Sequence, residues 1–315
     1  MTLRINNNKK YYYKVYGLNI ESDMEFIELV TLDENEIDKI DCKIVLGEMD
    51  LSIKKDLEEG YKFRFLEDSM WFTVKNIANY HIYNGDTIVV EALQSNKEGR
   101  VKAFLLCAAM GMLLIQKNII AFHGGTVVID NKSVIIAGDS GAGKSTLTTA
   151  FRLNDYGFMA DEVSVTGVDN EEDNIMSIPS YPHQRLCLDM AESFGYDVET
   201  LLPINSESTR FLVPAHEHYV SKNTKLGAIV EITVGDVSEP EIEEILGEDK
   251  VFTLCDHAYR KGVRTRTGTN PVYFKKLLSI MKNIPVYRLK RPANKITVNE
   301  QMELIKKVLT EKYSA

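Results

Sequence analysis

The sequence predicts an α/β protein in two parts, a β-rich region over residues 1–95 and an α/β core over residues 96–315. Three observations predict it. Short runs of aromatic and β-branched residues, broken by turn residues, recur between residues 11 and 92. From residue 97 onward, stretches of helical length alternate with strand-like apolar runs. Near the middle, "SVIIAGDSGAGKSTLTTAFRL" reads as a strand, a glycine-rich loop and a helix in direct succession.

The elements follow in order. "YYYKVYGLNI" has strand composition, and "YKFRFLE" alternates large apolar and polar groups as a half-buried strand does. "WFTV", "YHIYN" and "TIVVEAL" continue the pattern, and Asn84-Gly85 marks a hairpin turn. A short antiparallel sheet accounts for these segments. A helix rich in Ala, Leu and Met is expected over about Lys97 to Gln116. No flexible linker separates the two parts, so their boundary falls within 95–118. The strands "TVVID" and "SVIIAG" are joined by a turn at Asp130 to Lys132. Residues 172–230 mix short strands with one helix near Asp189 to Ser193, and "KLGAIVEITV" (225–234) is a buried strand. "EPEIEEILGED" (239–249) reads as an exposed acidic helix, and helices over 271–283 and 298–312 flank the strand "PVYRLKR".

The 315 residues are 44% hydrophobic and 26% charged, the balance of a soluble globular protein with length enough for a sizeable core. A net charge of −9 gives no global attraction for nucleic acid or an anionic membrane, so neither is expected as a partner and any phosphate binding must be local. Cys42, Cys107, Cys187 and Cys255 are far apart without CxxC spacing and are expected as reduced thiols. The longest apolar run, Phe104 to Ile115, is too short for a bilayer and lies between Lys102 and Lys117. The basic residues at the start of the sequence have no apolar run behind them, so the cytoplasm is the expected location.

The pattern G-x-x-x-x-G-K-[ST] is met by Gly138, Gly143, Lys144 and Ser145. A chance match in a chain of this length is on the order of one in a hundred, before the strand–loop–helix setting is counted. Gly138, Gly141 and Gly143 let the backbone curl so that several N–H groups converge on one point. The helix N-terminus adds partial positive charge there. Gly138, Asp139, Ser140, Gly141, Ala142, Gly143, Lys144, Ser145 and Thr146 are the candidate phosphate-binding residues. Lys144 supplies a full charge to β- and γ-phosphates, and the Ser145 hydroxyl is a candidate Mg²⁺ ligand. A plain glycine-rich turn has no need of the Lys-Ser pair.

Downstream, "YGFMADEVSVTG" carries apolar residues into Asp161 and Glu162. An acid at the end of a buried strand commonly holds Mg²⁺ in nucleoside triphosphate enzymes, which makes Ser145, Asp161 and Glu162 the candidate metal set. Strand alternation is expected to turn Asp161 and Glu162 in opposite directions, leaving one of them as a base. His123 is close in sequence to the loop, and a lone His is more often structural. Arg185 in "YPHQRLCLD" is suited to clamping a phosphoryl group, against the alternative of a surface arginine. "YRKGVRTRTGT" (259–269) is a basic patch that could meet a nucleotide or an acidic peptide, with a solvated loop as the plain alternative. Cys255, Asp256 and His257 adjoin but have no partner motif.

"FHGGTVVIDNKSVIIAGDSGAGKSTLTTAFRLNDYGFMADEVSV" resembles the catalytic core of HPr kinase/phosphorylase, a bacterial protein-serine kinase family whose fold is similar to that of phosphoenolpyruvate carboxykinase. The resemblance implies a P-loop core of that type behind the β-rich N-terminal region. It also implies ATP and Mg²⁺ as cofactors. Asp161 falls where the family has the base that takes the proton from the substrate serine, and His123, Lys144 and Ser145 fall on the family's His, loop Lys and loop Ser. The chain departs by having Thr146 after Gly-Lys-Ser where the family usually has Glu, and Glu162 for the second motif aspartate. It also lacks the glycine-rich, arginine-bearing segment with which the family recognises HPr.

"YKVYGLNIESDMEFIEL" (13–29), "SYPHQRLCLD", "TRFLVP", "KLGAIVEI" and "PVYRLKRP" are similar to segments of a divergent group of HPr-kinase-like proteins. Some of that group are tailoring kinases of lasso-peptide gene clusters, which phosphorylate a serine of the precursor peptide. The resemblances together imply ATP-dependent transfer to a serine hydroxyl on a peptide or protein such as a natural-product precursor, and leave a homo-oligomer open. Two rivals remain from the sequence: a kinase of a small hydroxylated metabolite, and a nucleotide-binding regulator that transfers nothing.

Overall fold

A computed structural model describes residues 9–94, 98–169, 174–204, 209–268 and 270–313. The chain folds into two compact units. The first runs to Ile119 and takes in the described residues of 203–209 and 262–270; the second holds the rest.

The first unit is built on a sheet of eight strands: β1 (Tyr11–Val15), β2 (Leu18–Ser22), β3 (Val30–Thr31), β4 (Cys42–Leu46), β5 (Phe63–Phe65), β6 (Ser69–Val74), β7 (Ala78–Tyr83) and β8 (Thr87–Ala92). Their order is β3-β1-β2-β4-β8-β7-β6-β5. The Asn84-Gly85 turn forms the β7–β8 hairpin with φ of +55° and +68°, the left-handed pair that matches strand twist. The expected all-antiparallel sheet is corrected here. β4 lies between β2 and β8 and is parallel to both. Hairpin signals cannot announce that arrangement, because it depends on the long connection from residue 23 to 41 and on a helix, α1 (Leu51–Glu58), that follows β4. "YYYKVYGLNI", strand-like in composition, forms the β1–β2 hairpin, turning at Tyr16-Gly17. β5, expected half-buried, is a short edge strand with Phe63 47% exposed.

The helical stretch runs α2 (Glu98–Phe104), a π-helical segment (Leu105–Ala109) and α3 (Met110–Gln116). Lys97, the expected first helical residue, lies outside the described residues. The stretch packs within the first unit, where the Tyr80 hydroxyl donates to Val101 O at 2.9 Å and the Gln116 amide donates to Ile82 O at 3.2 Å. This unit therefore extends past the expected division at residue 95.

The second unit contains β9 (Ile120–Ile129), β10 (Lys132–Gly138), α4 (Lys144–Leu153), β11 (Gly157–Ala160), β12 (Val163–Val168), β13 (Ile175–Ile178), β14 (His183–Cys187) and α5 (Leu188–Ser193). The chain passes between units at β15 (Leu202–Pro203), returns for β16 (Arg210–Pro214), β17 (Thr224–Gly235), β18 (Glu241–Glu244) and α6 (Gly247–Asp256), and passes again at α7 (Lys261–Thr267). It ends with α8 (Pro271–Asn283), β19 (Val286–Pro292) and α9 (Val298–Tyr313). β10 is parallel to β17, and β17 to β19. Pairings of β10 with β9, β9 with β12, β12 with β13 and β13 with β17 close a ring around the remaining side.

β10, parallel to β17 on one side and antiparallel to β9 on the other, is buried from Ser133 to Gly138, as a central strand covered on both faces should be. Val134 and Ile136 pack against Leu147 and Phe151 of α4 and Ile305 and Leu309 of α9. Ile135 faces the other way, towards Leu254 of α6 and Leu277 and Ile280 of α8. The turn feeding β10 has Asp130 and Asn131 at φ +46° and +61°, so the hairpin is tight and delivers β10 straight to the loop.

The expected acidic helix over 239–249 is corrected: residues 241–244 form edge strand β18 on β19, and helix begins only at Gly247. Its register sets Glu241 opposite Lys290 and Glu243 opposite Arg288, and Ile242 packs on the core. Opposite charges across the ladder and one partly buried apolar residue favour the strand. The four cysteines are free thiols. Among the described residues no helix is long and apolar enough to cross a membrane.

Candidate active site

The site begins where β10 ends. Gly138 has φ +143°, and a Cβ there would meet Ile232 O at 2.5 Å, so the chain can leave the sheet at this point only as glycine. Gly143 precedes α4 at φ +110° with no side-chain cap. The first N–H groups of α4 have no intrahelical partner by construction and are available to an anion. Lys144 folds over the loop, its ammonium donating to Gly138 O at 2.8 Å and Asp139 O at 2.9 Å. Burial lowers its pKa, with Asp161 and Asp139 acting in the opposite direction.

A cavity of about 450 Å³ opens over this loop. Ser140, Gly141, Gly143, Lys144, Ser145 and Thr146 line it from the loop side. Of the other predicted loop residues, Ala142 is buried in the core, and Gly138 and Asp139 contribute the carbonyls that hold Lys144. The opposite wall brings in His123, Asp161, Glu162 and Arg185, all read as candidates from the sequence.

Asp161 and Glu162 form the corner between β11 and β12. The expectation that they point in opposite directions is corrected, since both line the same cavity. Glu162 has φ +65°, and this left-handed residue breaks the alternation that a continuous strand would impose. Asp161 is 5% exposed and accepts the Arg185 backbone N–H at 2.9 Å. Burial, with help from the charge of Glu162, pushes its carboxyl up to about 6. Glu162 is held by two arginines, Arg185 Nη1 to Oε2 at 3.2 Å and Arg210 Nη1 to Oε1 at 3.2 Å.

His123 lies where β9 exchanges β12 for β10 as its partner, its N–H donating to His257 O at 2.8 Å. Its ring stacks on Tyr259 with centroids 6.0 Å apart. Burial lowers its pKa and, with Glu162 acting in the opposite direction, the nearby charge of Lys144 lowers it further. Arg260, from the basic patch, stands over the Tyr259 ring at 5.3 Å and adds to the same effect on His123. Residues 261–267 of the patch form α7. Cys255 and His257 do not work together: His257 Nε2 meets Glu231 Oε1 at 2.7 Å, Glu231 also holds Arg288 at 2.7 Å, and Cys255 is exposed.

Sequence reasoning missed Arg210, Arg291 and the α5 residues Asp189 and Met190. Arg210 reaches Glu162 because β14 and β16 pair with Cys187 opposite Arg210. Arg291, next to last in β19, donates to Ala142 O at 2.7 Å and Gly141 O at 3.3 Å, bracing the loop from outside. Both lie in segments noted above, "TRFLVP" and "PVYRLKRP", but nothing in those segments assigns them a role at the loop, because they reach it through long-range strand pairing.

The donor set suits Mg²⁺ in kind. Ser145, Asp161 and Glu162 offer hard oxygen donors beside the loop. Among the described residues no cluster of three or more His, Cys, Asp or Glu could hold a metal on protein ligands alone. Mg²⁺ at such sites ordinarily takes one or two carboxylates and completes its shell from phosphate and water.

No protein-family model and no curated protein matches the sequence. Among solved structures, the chain is similar to the HPr(Ser) kinase/phosphatase from Coxiella burnetii, with 12% identity and a TM-score of 0.33. The match covers 61% of this chain and 97% of that one. At that level of similarity nothing about activity follows.

Proposed function

We propose that the chain is an ATP-dependent phosphotransferase that passes the γ-phosphoryl group to a hydroxyl, with a serine of a peptide as the acceptor. The observation that carries the reading is the buried Asp161 carboxyl sharing one cavity with Lys144 and Ser145 of the loop. A nucleotide switch has no need of a buried proton acceptor facing the phosphates. The choice of serine on a peptide rests on the sequence resemblance to HPr-kinase-like proteins.

In this reading the loop N–H groups and Lys144 hold the β- and γ-phosphates. Mg²⁺, when bound, offsets phosphate charge beside Ser145 and the two acids. Asp161, with its carboxyl at about 6, is ionised at pH 7 yet close enough to neutrality to take and release a proton. The Arg185 N–H fixes the orientation of that carboxylate. Arg185 and Arg210 hold Glu162 and keep positive charge near the transferring group. Positioning and charge stabilisation carry most of such a reaction.

The test is mass spectrometry of serine-containing candidate peptides after incubation with ATP and Mg²⁺. The expected result is one phosphoryl group gained on a serine. ATP consumed with no peptide modified, or no ATP consumed with any acceptor, would count against the proposal.

A further inference from the structure

A second depression, of about 870 Å³, continues from the loop along Thr146, Ala150 and Leu153 of α4, apart from Asp161 and Glu162, with Asp189 and Glu300 among its own lining. The two cavities share Gly143, Thr146, Asp189 and Met190. Asp161, Glu162 and Arg185 line only the first. The second is walled by the C-terminal half of α4, by α5, and by the turn joining β19 to α9.

Its chemistry differs from that of the first. Leu153 of α4 is 44% exposed and Ile296 of the turn is 92% exposed, so both present large apolar surface that the fold does not use. Asn154, Asn294 and Asn299 set amide edges beside them. Apolar faces with a few polar groups are what an aromatic heterocycle with hydrogen-bonding edges requires. Thr146 to Leu153 spans about 10 Å along the helix, the scale of a nucleoside. Arg291 joins the two regions: it lines the groove while its guanidinium holds the carbonyls of Gly141 and Ala142.

We infer that this groove takes the nucleoside half of the nucleotide, with the base against Leu153 and Ile296 and the phosphates passing Thr146 and Gly143 into the acid-bearing cavity. The assignment rests on the phosphate-loop reading given under Proposed function. It adds a direction to it: the nucleotide enters over α4 and presents its terminal phosphate to Asp161.

Calorimetry of the full chain with Mg²⁺ and two probes, ATP and inorganic tripolyphosphate, separates the two ideas. Tripolyphosphate reports the loop alone, and ATP reports the loop and the groove together. Wild-type protein is expected to bind ATP more tightly than tripolyphosphate. Ile296→Asp, at an exposed position, and Leu153→Asp should each weaken ATP about tenfold or more, with tripolyphosphate unchanged within about twofold. A thermal melt checks the fold of each variant, and Ile296→Asp alone suffices should Leu153→Asp be unstable. Equal affinity of the wild type for both probes, or unchanged ATP affinity in the folded variants, overturns the groove assignment and leaves the loop standing. Parallel loss of both probes in a folded variant overturns it too, since the effect would then run through the loop. A wild type that binds neither probe overturns the phosphate-loop reading, and the groove assignment falls with it.

Discussion

The backbone N–H of Arg185 donates to the carboxylate of Asp161 at 2.9 Å. That bond ties β14 to the β11–β12 corner and fixes a buried acid that lines the cavity over the phosphate loop. Asp161→Asn keeps the acceptor for this N–H and removes the proton acceptor. Turnover is expected to fall by roughly two to four orders of magnitude, with a much smaller loss in ATP affinity. Single-turnover transfer measured beside calorimetry checks this. Normal transfer by the variant would end the assignment of Asp161 as base.

The pH dependence has a defined sign. Asp161 must be ionised to accept a proton, so the rate should rise with pH through a limb near 6. A limb near 4 in kcat/KM would mean that the base is a solvated carboxylate elsewhere.

Stability moves in the opposite direction. The folded-state carboxyl lies at about 6 against an ordinary 3.8, so between those values the folded protein binds more protons than the unfolded chain. Its destabilising effect is absent below about 4 and complete above about 6. At pH 7, Asp161→Asn should therefore stabilise the protein, by at most about 3 kcal/mol. Urea unfolding of both proteins at pH 7 and pH 4 checks it, with the gap expected to close at the lower pH.

Glu162→Gln removes a negative charge that holds the Asp161 carboxyl up and frees Arg185 and Arg210 from their shared partner. Both changes favour ionised Asp161. The rate limb should move to lower pH, with a smaller loss of turnover than in Asp161→Asn. An unmoved limb would show that the two acids do not sense each other.

Lys144→Ala removes the charge placed over the loop. ATP affinity is expected to fall by about tenfold or more, with the fold intact, as seen by calorimetry and circular dichroism. Unchanged affinity and rate would show the loop to be unused.

Gly138→Ala probes the exit from β10. The φ of +143° disfavours any side chain, and the new Cβ would meet backbone at 2.5 Å. A loss on the order of 2 kcal/mol or more is expected in denaturant unfolding.

The amino-acid sequence by itself determined the features that depend on chain neighbours. The turn at Asn84-Gly85, the continuously apolar β10, the glycine-rich loop and the start of α4 all follow from steric and burial preferences within a few residues of one another. The Asp161-Glu162 pair was visible for the same reason, as the point where an apolar run stops. The tertiary structure alone decided what depends on distant segments meeting. The parallel placement of β4, the edge strand at 241–244, Arg210 on Glu162 and Arg291 on the loop each follow from strand register between segments far apart in sequence. It also decided that Glu162 turns into the cavity beside Asp161, because a left-handed residue at the corner overrides the alternation of a strand. Register of that kind is chosen by which long-range pairing buries the most apolar surface and pairs the most charge. No window of adjacent residues contains that sum.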